Sequence, residues 1–458
     1  MTQDEHPLVT KYREFSPASE ALHEKARKVF PGGDTRSSAH YGPYPLTITE
    51  ASGCVMKDAD GHEVLDFMNN FTSLVHGHAR PEIVESVQKQ IALGSAYAAT
   101  SQNQIDLAEI ITERIPSVDQ MRFTSSGSEG TTMAIRCARA ATGRQKIMKM
   151  EGGYHGSFEL AEVSLVPMPD SRGDLSEPNS TPLDGSFPDS VLQDTVICPY
   201  NEPEMAKNLI EKHHSELAAI IVEPVLGSMG MVPATREFLQ TLRDAATANG
   251  IILIFDEVIS LRINYGGAQK FFGVTPDLTC LGKIIGGGLP VGGVGGRADL
   301  MQLFSPDNAR PVMHASTFSG NALTMSAGLP AMQAFNEDEC NRINVLADKL
   351  RDGFNQAFAQ AGILGNASGI GSLTNINFSE KPLTDSRDYL DGLLVSKHIG
   401  PLLHLGMLRH GVASASRLMF CTSTAMSDRE IEKTVAALHA TLDELKPFVE
   451  TECPELIL

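Results

Sequence analysis

Apolar residues fall into two periods along this chain, and the switches between them outline its elements. Ile251-Ile252-Leu253-Ile254-Phe255 is an unbroken, β-branched run introduced by the turn signal Asn249-Gly250. A short run of this kind, bounded by a turn, predicts a strand covered on both faces, as in a parallel sheet. Ala218 to Val222 predicts a second such strand, closed by Glu223-Pro224, and KIMKM at 146–150 predicts a third. The other period is helical. Residues 17–30 space Leu22, Ala26 and Phe30 along one face, 131–144 and 235–248 predict helices, and 428–444 carries Ile431, Val435, Leu438 and Leu442 on an amphipathic stripe. Alternation over 46–67 around Asp60-Gly61 predicts a hairpin, and 370–378 a further strand. Residues 166–189, rich in Pro, Ser, Asp and Gly, follow neither period and predict a long surface loop.

The chemistry sits where the predicted strands stop. Asp256 and Glu257 end the 251–255 run, and in open α/β sheets ligands collect at the carboxyl ends of strands. Lys283 follows 27 residues after Asp256, between Leu281-Gly282 and Ile284-Ile285 and before three glycines. An ammonium group among apolar and glycine neighbours is poorly hydrated, which favours the neutral, nucleophilic amine. Such a lysine can hold an aldehyde as a Schiff base, and a strand-end acid can keep a pyridine nitrogen protonated. Pyridoxal phosphate requires both. Taken alone, the two residues also read as a turn-capping acid and a surface lysine.

Composition narrows the partners. A chain of 458 residues can bury a large core and make more than one domain. A net charge of −19 argues against nucleic acid or an anionic membrane, which demand clustered Lys and Arg. The opening MTQDEHPLVTKYREFS lacks the basic start and apolar core of a secretory leader, and no apolar stretch is long enough for a membrane helix. Seven cysteines without CxxC spacing predict reduced thiols in the cytoplasm and no structural zinc or other metal. No GxxxxGK[ST] occurs, which disfavours a phosphate-loop nucleotidase.

The stretch 251–292 joins the apolar strand to Asp256-Glu257-Val258, then G-A-Q at 267–269, F-G-V-T-P-D-L at 272–278 and G-K-I-I-G-G-G-L-P-V-G at 282–292. In that order these pieces resemble the lysine region of the class III, fold-type I aminotransferases, especially the branch containing glutamate-1-semialdehyde aminomutase. The resemblance implies an α/β fold: a large domain at 71–328 with a mostly parallel seven-stranded sheet, and a smaller α+β domain from 1–70 and 329–458. It implies pyridoxal 5'-phosphate as cofactor, with Lys283 as anchor and acid/base, Asp256 on the ring nitrogen and Val258 beside it. Ser126, Gly127 and Ser128 of S-G-S-E-G would hold the phosphate, although by itself this turn is only a helix N-cap. Tyr154 in Y-H-G would lie on the ring, and Glu223 near its hydroxyl unless it is a structural carboxylate. Thr317 in T-F-S-G-N would reach the neighbouring subunit's cofactor, which implies a homodimer. The 166–189 loop corresponds to a mobile cover, and His78 in G-H-A-R-P reads as structural.

Substrate residues follow the same resemblance. In P-G-G-D-T-R-S, Arg36 stands closer to the glycines than in the aminomutases. The segment is more similar to β-amino acid aminotransferases, which implies that Arg36 binds a carboxylate. Phe71 would line the pocket with Tyr154 and Arg262, and Arg417 would be a second carboxylate partner, with Arg409 competing. The expected reaction moves an amino group from a β-amino acid or amine to pyruvate or 2-oxoglutarate. An intramolecular aminomutase is the alternative, and a non-catalytic protein on the same scaffold a third.

Overall fold

A computed structural model of the chain describes residues 6–458. The first five residues of the stretch read above as lacking a leader lie outside it. Two compact units result, one of 81–341 with 383–390, the other of the residues up to Arg80 with 342–382 and 391–458. The passage after Arg80, ten residues past the expected cut, reflects pairing of Gly53 with His78, whose ring also bonds the Asp66 carboxylate at 2.7 Å. The second passage follows Asn341 rather than 328, because helix Ala322–Ala334 packs on helices Pro81–Ile91 and Gln102–Arg114 of the larger unit.

The larger unit is built on seven strands: β1 Gln120–Thr124, β2 Lys146–Met150, β3 Thr195–Cys198, β4 Leu217–Val222, β5 Ile252–Asp256, β6 Leu278–Gly282 and β7 Gly292–Gly296. Their order across the sheet is β1-β7-β6-β5-β4-β2-β3, with only β7 antiparallel to its neighbours. Every residue of β4, β5 and β6 is buried. Helices cover both faces, so these strands carry continuous apolar runs instead of alternation. Ile252 and Ile254 pack in one cluster with Ala134, Ile135 and Ala138 of helix Gly127–Thr142. The two-residue period therefore turns Asp256 to the face which that helix covers.

The strand β7 reads Gly-Gly-Val-Gly-Gly, and close approach explains it. A Cβ on Gly292 would stand 1.9 Å from the Ser126 carbonyl oxygen, and one on Gly130 would stand 2.6 Å from that of Gly293. Only glycine lets this helix start so near the sheet.

The smaller unit has a sheet of Ile48–Ser52, Val55–Asp58 and Glu63–Asp66, antiparallel, with Val412–Ala413 parallel on its edge. A second sheet joins Asn366–Ile370, Leu373–Asn377 and Met419–Cys421. Leu350, Phe354, Phe420, Leu438 and Leu442 lie in its core. Helix Asp428–Glu452 starts on a Ser427/Glu430 capping box and runs past the expected 444. One expected face is reversed: helix Pro17–Ala26 buries Ser19 and His23, whereas Leu22 and Phe30 are exposed. Spacing marked the helix but not the side that packs. Among the described residues no helix is long and apolar enough to cross a membrane, and no group of side chains is arranged to hold a metal ion.

Candidate active site

The carboxyl ends of β4, β5 and β6 open into a cavity of about 190 Å³. Seven of the expected residues line it: Gly127, Ser128, Tyr154, Glu223, Asp256, Val258 and Lys283. Asp256 is the last residue of β5 and is buried. Its Oδ1 accepts from the Val258 backbone N–H at 3.1 Å, and its Oδ2 from Nδ1–H of His155 at 2.9 Å. Both oxygens are thus held, and the protein's own donors fix the orientation of the carboxylate.

His155 also lines the cavity, and sequence reasoning did not single it out although it follows Tyr154 in the same motif. Its ring is buried, and burial pushes its pKa down against the upward pull of Asp256. The imidazole is therefore neutral near pH 7, and its single bonded nitrogen serves Asp256. Nε2 is buried with no hydrogen-bond partner among the described residues.

Lys283 directly follows β6, and its φ of 49° is left-handed. For a residue with a Cβ this conformation costs about 1–2 kcal/mol, and such strain clusters at functional sites. Half-buried rather than enclosed, the side chain shares the cavity wall with Asp256. Burial first, then the Asp256 charge, raise the Glu223 carboxyl to about 8, with Lys283 opposing. Glu223 holds the turn above the cavity: Oε2 accepts from Tyr154 N–H at 2.8 Å and Oε1 from Gly227 N–H at 3.1 Å.

Helix Gly127–Thr142 begins at the cavity, four residues earlier than its sequence suggested, and presents the positive end of its dipole there. Gly127 is close-fitted, since a Cβ would sit 3.2 Å from both methyls of Val258. The three phosphate candidates divide. Gly127 and Ser128 face the cavity, whereas the Ser126 hydroxyl caps the helix by accepting from Glu129 N–H at 3.2 Å. Thr317 is exposed and lies outside the cavity wall of its own chain.

The expected substrate residues form a separate cluster in the smaller unit. The guanidinium carbons of Arg36 and Arg417 each lie 5.7 Å from the centre of the Phe71 ring, and Arg36 Nη1 donates to Asn70 Oδ1 at 3.1 Å. Asn69, Asn70, Phe71 and Thr72 all have left-handed φ, between 45° and 73°. Asn70 and Phe71 are left-handed in ψ as well, at 58° and 53°, a costly backbone for residues that carry a Cβ. Arg409 belongs elsewhere, paired with Glu444 at 3.0 Å. Arg262 is fully buried and does not line the cavity, which corrects its expected place in the pocket.

Residues 36–442 match the family model for class-III aminotransferases. A glutamate-1-semialdehyde 2,1-aminomutase of Desulfotalea psychrophila is 38% identical over 435 residues, covering 93% of this chain and 98% of its own. The crystal structure of an omega-transaminase from Sphaerobacter thermophilus superposes with a TM-score of 0.90 at 44% identity, covering 94% of this chain and 98% of that one. A β-phenylalanine aminotransferase from Variovorax paradoxus superposes with a TM-score of 0.86 at 33% identity, covering 96% and 97%.

Proposed function

We propose that this chain, which belongs to the class-III aminotransferase family, moves an amino group between two carbons of one small carboxylate substrate. The reading is carried by relatives named glutamate-1-semialdehyde 2,1-aminomutase, which extend over 93% of the chain at 36% and 38% identity. They back this alternative better than the intermolecular reaction expected first. Pyridoxal 5'-phosphate is the cofactor, and the cavity fits it with an oriented acid, a lysine and a helix N-terminus against a glycine that leaves no room for a Cβ. When bound, it supplies an aldehyde that exchanges amines and a ring that takes up electrons.

The chain's own residues do the rest. Asp256 keeps a fixed negative charge in the cavity, where it favours a protonated ring nitrogen, and neutral His155 holds that carboxylate in place. Lys283 Nζ anchors the cofactor and takes up and returns a proton. Gly127 and Ser128 bind phosphate at the helix start, and Tyr154 lies against the ring, its backbone held by Glu223. Arg36 and Arg417 bind the substrate carboxylate, with the Phe71 ring beside both guanidinium groups and Asn70 orienting Arg36. The working unit is a homodimer in which Thr317 reaches the cofactor of the other subunit. Seven buried cysteines and no disulfide support a cytoplasmic location.

Intermolecular transfer, from a β-amino acid or amine to pyruvate or 2-oxoglutarate, is the second reading. The 44% identical omega-transaminase and the 33% identical β-phenylalanine aminotransferase favour it. One experiment separates the two: purified holoenzyme is given glutamate 1-semialdehyde alone, then β-phenylalanine with and without each keto acid. The aminomutase reading expects turnover of the semialdehyde with no acceptor. Turnover only when a keto acid is present would overturn it in favour of the second.

A further inference from the structure

Residues 383–390 belong to the larger unit, although the chain on either side belongs to the smaller one. Their anchor is Arg387. Its guanidinium grips the buried Glu151 carboxylate through two parallel bonds, Nε to Oε2 at 2.7 Å and Nη2 to Oε1 at 3.0 Å. Nη1 donates to the Gly173 carbonyl of the 166–189 loop at 3.2 Å, and Nη2, which already serves Glu151, has one N–H left to share between the Arg172 (3.4 Å) and Asp174 (3.5 Å) carbonyls. Glu151 directly follows β2, and three residues later Tyr154 lines the cofactor cavity. Gly152 N–H bonds the Ser164 carbonyl at 2.9 Å, and a Cβ on Gly152 would stand 2.4 Å from that of Ser386. Lys149, fully buried, donates to the Val163 carbonyl at the base of the same loop.

We infer that Arg387 is a positioning residue for the cofactor site, fastening the loop to the strand end that carries Tyr154. A buried ion pair is often replaceable by apolar residues without loss of stability, so stability alone does not call for a guanidinium here. What the fork adds is geometry: one planar group satisfies the carboxylate and still turns an N–H of each terminal nitrogen to loop carbonyls, Nη1 to Gly173 and Nη2 shared between Arg172 and Asp174. A lysine at this position keeps the charge beside Glu151 and loses the fork. The inference rests on the cofactor and not on which substrate is turned over.

The test uses holoenzyme with Arg387→Lys, Arg387→Ala, and the double variant Glu151→Gln/Arg387→Gln, which removes both charges and leaves no unpaired carboxylate. Two readouts are taken: trypsin cleavage after Arg172, and the cofactor dissociation constant from visible absorbance. Losing the carbonyl contacts should speed cleavage roughly tenfold and weaken cofactor binding several-fold in both Arg387→Lys and the double variant. Should Arg387→Ala fail to fold, the other two decide. Wild-type values for either readout in both of those variants would overturn the inference, as would a lowered melting temperature with both readouts unchanged. Neither readout involves substrate, so a wrong assignment of the reaction leaves the test intact.

Discussion

Replacing His155 with Phe isolates what one hydrogen bond contributes to this site. The two side chains have similar flat shapes and both fit a buried slot, so packing changes little. Burial keeps the imidazole neutral, so no charge is removed. Nε2 has no partner to lose among the described residues. The substitution therefore deletes the 2.9 Å bond to Asp256 Oδ2 and leaves that oxygen without its donor, while Oδ1 keeps the Val258 N–H. A hydrogen bond to a charged group contributes about 1.5–3 kcal/mol. That equals about tenfold to a hundredfold in any step that depends on the Asp256 charge staying in place. The assay is stopped-flow absorbance of the cofactor after mixing holoenzyme with an amino donor and no acceptor, which isolates the first half of the reaction. The variant should bind cofactor through Lys283 and react slower by that factor. A half-reaction within about twofold of wild type, smaller than such a bond allows, would refute the role given to His155.

Lys283→Ala should abolish the visible band of the lysine-linked cofactor and lower turnover by at least about a hundredfold, the low end for a lost general acid/base. Retained turnover in a steady-state assay would remove Lys283 from the chemistry. The buried His404 ring gives a pH signature. Burial lowers its pKa from 6.5 to about 4, so the unfolded chain takes up a proton that the folded chain refuses. The stabilisation is full above pH 6.5 and is lost as pH falls through 4, about 3 kcal/mol in all. A His404→Leu variant should show a flatter fall in urea midpoint between pH 6.5 and 4, and an unchanged slope would count against this account.

Much of the fold, and which residues line the candidate site, was legible in the sequence, because the signals are local. The run at 251–255 could hardly be anything but a buried strand, and Asp256 ends it, so the position of the acid followed from period and chain direction. Lys283 stood out by its glycine neighbours, and the S-G-S turn by its place before a helix. Elements were therefore found more readily than their faces: helix Pro17–Ala26 was expected, yet it turns Leu22 outward and His23 inward. Tertiary structure decided what depends on residues far apart in the chain. His155 meets Asp256 across 101 positions, and Arg387 meets Glu151 across 236. No local pattern encodes either pairing. The division of labour between Ser126 and Ser128 and the engagement of Arg409 with Glu444 likewise appear only once side chains have directions. The run of left-handed φ at 69–72 contains no glycine that would have announced it. Sequence determined which chemical groups this protein owns and which strand ends carry them. Folding decided which of those groups face one another, because hydrogen bonds act over about 3 Å, while the residues that make them lie hundreds of positions apart.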